Sequence, residues 1–175
     1  MVDYFKDIKN WTPQEAYEYA LEIHEPFPEG EPIIAKDPEW AFYYAKDVLN
    51  KNRFPLGELA IAKDPEWAGC YALDVIKSRW PEAEPAIAKD PWYAYNYARD
   101  VIKGQWLEGE PIIAKDPSCA YKYALNIIKD RWPKAEETIL NSQFKQKYID
   151  DVLKAYGVKL TNDIVDTSIL LGNII

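Results

Sequence analysis

The sequence predicts an all-α fold, an α-solenoid of helical-hairpin repeats, and three observations carry that prediction. The string Ala-Lys-Asp-Pro recurs at Ala35, Ala62, Ala88 and Ala114, with starts 27, 26 and 26 residues apart. Behind each copy, small and apolar residues recur at i, i+3, i+4, i+7 and i+8, which is one face of an α-helix. No stretch shows the period-two alternation that an array of strands requires. Self-similarity at this length marks a stacked array, in which each hairpin buries its faces against the next.

The second repeat runs from Asp37 to Lys63, the third from Asp64 to Lys89 and the fourth from Asp90 to Lys115. The fifth runs from Asp116 to about Leu140. A degenerate first repeat opens at Thr12-Pro13 and carries Phe27-Pro28 in the later Phe-Pro slot. Asn141 opens an incomplete sixth, with Tyr148 in the slot of Tyr123. The repeats thus cover roughly residues 12–156 of a single domain, 1–175.

Each repeat begins with a helix start. Asp37, Asp64, Asp90 and Asp116 can accept from orphan backbone N–H groups, and the proline that follows gives up no needed donor. The long helix then buries Ala41, Tyr44, Ala45, Val48 and Leu49, which recur as Ala68, Tyr71, Ala72, Val75 and Ile76. It should run about twelve residues and stop near Lys77-Ser78 or Lys103-Gly104. Trp80-Pro81 breaks the chain, and a short second helix buries Ile87 and Ala88, matched by Ile61, Ile113 and Ile139. With Pro85 so close to Pro81, that element is a single turn or begins at Pro85. Residues 1–11 are expected to lie over the first repeat. After Gly157 the tail becomes apolar, and two readings stand. One is a C-terminal cap, residues 157–175. The other is a homodimer or partner contact through residues 158–175, by way of Ile164, Val165, Ile169 and Leu170.

Composition narrows the function. There are 21 Lys and Arg against 29 Asp and Glu, a formal charge of −8, which argues against direct nucleic-acid binding. No run is long and apolar enough for a membrane helix, and no leader is evident, so a cytoplasmic protein is expected. The single histidine, His24, excludes a His-based metal cluster and aligns with the core-edge slot of Leu49 and Ile76. Cys119 stands in the slot of Trp40 and Trp67, and Cys70 in that of Tyr43. Neither has the basic neighbours that would activate a thiolate. No phosphate-binding glycine loop is present. No cofactor, metal or catalytic residue is expected, and the chain reads as a non-enzymatic protein.

Carboxylates open each short helix: Glu29 and Glu31, Glu58, Glu82 and Glu84, Glu108 and Glu110, Glu136 and Glu137. There the helix dipole favours them; alternatively they form an acidic ridge that imitates DNA. Lys36, Lys63, Lys89 and Lys115 are candidates to pair with the preceding glutamates. Phe27, Phe54, Trp80, Trp106 and Trp132 read as wedges between repeats. With Arg53, Arg79 and Arg131 beside them, a groove for a small nucleotide-like ligand is the alternative.

Within one chain, the slots that vary between repeats separate decoration from scaffold. One stripe of the long helix, at i, i+4 and i+7, varies most and is unexpectedly apolar. Its candidate partner-binding residues are Tyr43, Lys46, Cys70, Leu73, Trp92, Asn96, Arg99, Lys122 and Leu125, centred on Trp92. The competing reading packs the stripe against neighbouring helices of the chain itself.

The string RWPEAEPAIAKDP, followed by YAYNYARDVIKG, resembles short α-helical repeats of tailed-bacteriophage and giant-virus proteins. The resemblance covers about four fifths of the chain and is close over Ala88–Gly104. It implies a helical array of viral origin and carries over no catalytic residue. By analogy, a small viral protein of this kind would bind a host or phage protein and block or sequester it, as an inhibitor of a host or defence factor.

Overall fold

The computed structural model of the chain describes residues 7–155 and 157. The expected cap beyond Gly157, and the dimer contact through Ile164, Val165, Ile169 and Leu170, lie outside the described residues. Among those described, every element is helical and none is a strand. The chain divides into two compact bodies, residues 1–89 and 90–175. Their boundary falls where the fourth repeat starts.

The Asp-Pro starts form as their chemistry requires. The Asp37 carboxylate accepts from the N–H groups of Glu39 and Trp40 at 3.0 and 3.2 Å, and Asp64 and Asp90 do the same in their repeats. Asp116 accepts from Cys119 at 2.8 Å, and Thr12 closes a capping box with Glu15. The long helices begin at the prolines: Pro13–Ile23, Pro38–Tyr43, Pro65–Tyr71, Pro91–Asn96 and Pro117–Tyr123. In repeats two to five each continues in a wider π turn, Tyr44–Val48, Ala72–Ile76, Tyr97–Ile102 and Ala124–Ile128. In the sixth repeat Asn141 ends the preceding short helix, and the helix Lys145–Tyr148 begins only four residues later.

The stops are left-handed residues at Lys77, Lys103 and Lys129, with φ of 56°, 58° and 55°. The amides of Lys77 and Lys129 donate back five residues, to the carbonyls of Ala72 and Ala124, at 2.8 Å. His24 makes the same stop in the first repeat, with φ of 59°, and is exposed. That corrects its expected core-edge position. The first repeat is one residue shorter here, so its stop falls one slot early. The second repeat is one residue longer, and both Asn50 and Lys51 are left-handed.

The short helices are Glu31–Ile34, Pro55–Ile61, Glu84–Ile87, Glu110–Ile113 and Pro133–Leu140. One proline slot sets their length. Where Pro32, Pro85 or Pro111 follows the glutamate, a longer helix would need an N–H that proline lacks, and one turn forms. Where Leu59 or Glu137 follows, the helix runs back to Pro55 or Pro133. The paired alanines of the five long helices (Ala41 and Ala45, for example) and Ile34, Ile61, Ile87, Ile113 and Ile139 are completely buried. In the N-terminal body the long helices of repeats one, two and three pack side by side. In the C-terminal body those of repeats four, five and six do so.

Candidate partner-binding face

What the conserved slots of the repeat do decides which side chains are left to meet anything else. The tyrosine seven residues after each Asp start is buried, and the hydroxyls of Tyr44, Tyr71 and Tyr123 each tie one repeat to the one before. The Tyr71 hydroxyl accepts from the Phe54 N–H at 2.7 Å and donates to Glu58 at 2.9 Å. Arg53 grips both oxygens of Glu58, at 2.7 and 2.6 Å. Tyr44 joins the Phe27 N–H to Glu31, and Tyr148 joins the Trp132 N–H to Glu136, which Arg131 grips in turn. Arg79 holds Glu84 in the same bidentate way, at 2.8 Å. Gln105 breaks the arginine series. Lys134, from the following repeat, replaces it with a 2.7 Å contact to Glu110, whose side chain is nearly inaccessible.

A second tie joins the long helices. Tyr17 donates to Asp47 at 3.1 Å, Tyr121 to Asp151 at 2.5 Å, and Asn126 donates to the Tyr95 hydroxyl at 2.8 Å. Burial, reinforced by these carboxylates, pushes the Tyr17 and Tyr121 phenols up to about 12. Burial likewise raises Tyr44 and Tyr123 to about 12, and Tyr71 and Tyr148 upward too. The Arg53 guanidinium holds the Glu58 carboxyl below the usual carboxylate range.

These ties settle several expectations about residue placement. Glu58, Glu84, Glu110 and Glu136 turn inward and are neutralised, so only Glu29, Glu82, Glu108 and Glu137 of those sets stay exposed. Half of the expected acidic ridge is therefore absent. Lys36, Lys63, Lys89 and Lys115 are exposed and take no ion pair among the described residues, and Glu58, Glu84, Glu110 and Glu136 of their expected partners are held by arginine, lysine or tyrosine instead. Phe54, Trp80, Trp106 and Trp132 are buried, each packed on the tyrosine of its own repeat at 4.8–5.2 Å between ring centroids. They are core residues, and they offer no open face to a nucleotide base. The Trp106 indole N–H is buried without a partner among the described residues. Gly109 makes room for that ring: a Cβ there would lie 2.2 Å from it.

The candidate stripe falls in two parts. In the N-terminal body Tyr43 is half-buried among the rings of Tyr17, Trp40, Phe42 and Trp67, at 5.3–6.2 Å, so it is an internal packing residue more than an outward misfit. The Lys46 ammonium lies over the Phe42 and Tyr43 rings and 4.0 Å from Asp74. Cys70 is half-buried, with its thiol pushed up by burial, and Leu73 is exposed. In the C-terminal body Trp92 is 47% exposed, and the Lys122 ammonium sits 4.8 Å above its ring. Asn96 donates to the Trp92 carbonyl at 2.9 Å. Arg99 grips Asp100 and lies over the Tyr95 ring at 5.1 Å, and Leu125 is half-buried. The structure thus brings Trp92 and Lys122 together in one body, and Tyr43 and Lys46 in the other.

Cys119 is buried, and burial, with the Asp116 carboxylate, raises its thiol to about 12, the opposite of an activated nucleophile. Among the described residues no group of His, Cys, Asp and Glu could hold a metal ion, and no helix is long and apolar enough to cross a membrane. Sequence reasoning passed over the short-helix face, which carries the most exposed apolar side chains: Leu59 at 71%, Leu107 at 64% and Leu56 at 58%. The signal was present. Other repeats place Glu29, Glu82 and Glu108 in the slot of Leu56, Pro85 and Pro111 in that of Leu59, and Pro55 and Pro81 in that of Leu107. No protein-family model, curated protein or solved structure matches the chain.

Proposed function

We propose that the chain is a non-enzymatic binding protein that works by protein–protein contact. Its 26-residue hairpins form an α-solenoid, and the variable positions of the long helices meet the partner. The exposure of Trp92 carries this reading. Its slot holds Gln14, Glu39, Glu66 or Ser118 in other repeats, so the fold does not need an indole there. An exposed tryptophan under a lysine ammonium has the composition of an interface centre. The resemblance to viral repeats extends the proposal to a virus-encoded inhibitor of a host or defence factor, acting in the host cytoplasm. Affinity purification from host lysate tests it, with wild type beside Trp92→Ala and Lys122→Ala. At least one protein recovered by wild type should be lost by both variants. Identical recoveries overturn the reading.

A further inference from the structure

A groove of about 320 Å³ lies in the N-terminal body, where the long helices of the first two repeats end side by side. Ala20, Leu21 and His24 line it from the first helix, and Asp47, Val48 and Asn50 from the second. Leu21 and Ile23, at the same helix end, are exposed. The first repeat departs here from the later ones in the sign of its charge. Lys77, Lys103 and Lys129 stop the helices of repeats three to five, whereas His24 stops this one and Glu25 follows it. From Thr12 to Ala35 there are six glutamates and no lysine or arginine.

The two helix ends that form the groove carry four carboxylates beside it. Asp47 spends one oxygen on the Tyr17 hydroxyl, at 3.1 Å, and takes no ion pair among the described residues. Glu18 is bonded to Gln14 and acts on the same Tyr17 phenol as Asp47, so these two carboxylates converge. Glu22 and Glu25 flank His24 and are exposed. On the cationic side, Lys46 is held over the Phe42 and Tyr43 rings and 4.0 Å from Asp74. That leaves Lys51, exposed beside Asn50, as the one ammonium against four carboxylates. The His24 Nδ1 lies 2.9 Å from the Glu22 carbonyl oxygen, which only accepts, so the neutral ring keeps Nε2 as an acceptor. Both helix ends add the negative pole of their dipoles.

An anionic groove with an aliphatic wall fits a ligand that is aliphatic along its length and cationic at its tip. Arginine and lysine side chains have that construction, a methylene stem below a charged head. The exposed Leu21 and Ile23 also gain from an apolar neighbour to the cation, which a free amine lacks. We propose that this helix end is a second docking surface, independent of Trp92 in the other body, whose occupant is a basic peptide segment of a protein partner with aliphatic residues beside its arginines or lysines. The stem lies against Leu21 and Val48, and the head meets Asp47 and the His24 Nε2.

Fluorescence anisotropy of the full chain with labelled twelve-residue peptides at physiological salt tests this. A peptide of interspersed Arg and Leu should bind, and one with Glu in place of Arg should not. A peptide of Arg and Ser, and free spermidine as competitor, should bind at least tenfold more weakly. Affinity for the Arg and Leu peptide should fall at least tenfold in Glu18→Gln with Asp47→Asn, and at least threefold in Leu21→Ser. The two new amides can still accept from Gln14 and Tyr17, and circular dichroism checks that the variants stay folded. Glu82→Gln with Glu108→Gln, which removes exposed carboxylates of the short-helix face, should leave affinity unchanged, as should Trp92→Ala. Absence of binding, equal losses in the two pairs of carboxylate variants, or spermidine binding as tightly as the peptide overturn the proposal. Loss in Trp92→Ala alone overturns it too, and leaves the long-helix reading standing.

Discussion

The Tyr71 hydroxyl joins three segments: it receives the Phe54 N–H, gives its proton to Glu58, and so holds the carboxylate that Arg53 grips. Tyr71→Phe removes no packing volume but leaves a buried N–H without its acceptor. A cost of about 1–3 kcal/mol is expected in urea unfolding. Tyr43→Phe, whose ring packs among others and whose hydroxyl joins no such tie, should cost far less. The recurrence of this tyrosine placed it on the core face, since i, i+3, i+4 spacing is enough for that. Its partners were not legible. They lie 13 and 17 residues away in sequence, and only the packing of consecutive repeats brings them within reach. The exchange of Gln105 for Lys134 shows the same limit, because a local pattern registers a gap in the arginine series but not the distant residue that fills it.

At the scale of the element, proline and the left-handed stop do most of the punctuation. A single slot, Pro85 or Leu59, decides between one turn and a seven-residue helix. The long helices of repeats three to five widen into a π turn before ending on a lysine with positive φ, a conformation that burdens any residue with a Cβ. Lys77→Gly should therefore stabilise the chain by roughly 0.5–1 kcal/mol, while Lys77→Ala should bring no such gain. Chemical denaturation of both variants separates conformational relief from loss of the lysine side chain. The starts of these helices could be read directly, because Asp-Pro caps act within three residues. The π turns could not, since α and π windings share nearly the same residue preferences.

For the whole molecule, the charge is unevenly spread. Residues 1–89 hold 10 Lys and Arg against 17 Asp and Glu, a formal −7, and residues 90–175 hold 11 against 12, a formal −1. The exposed Trp92, with the half-buried Lys122 over its ring, belongs to the less acidic half. The buried phenols make a prediction about pH. Their pKa values are raised in the fold, so their contribution is complete below the ordinary phenol value of about 10 and is lost as pH rises toward 12. Helical circular dichroism should collapse in that window together with a steep rise in phenolate absorbance. Gradual, non-cooperative phenol titration with helicity intact would contradict the buried ties. At the acid end the sign reverses. Glu58 is held below its ordinary value of about 4.3, so its contribution is present above that pH and lost as pH falls through the lowered value.

The sequence by itself determined the helical class, the repeat period, the helix starts and the buried alanine, isoleucine and tyrosine slots. All of these follow from periodicity and from contacts made within one or two turns. Only the tertiary structure decided which polar groups are spent on holding repeats together. It committed Glu58 and Arg53 to each other, left Lys63 and Lys115 without an ion pair among the described residues, drew Tyr43 inward, and exposed Leu59 and Leu107 beside grooves. Those outcomes depend on which repeat lies against which, and a hydrogen bond's partner is set by that packing and not by its place along the chain.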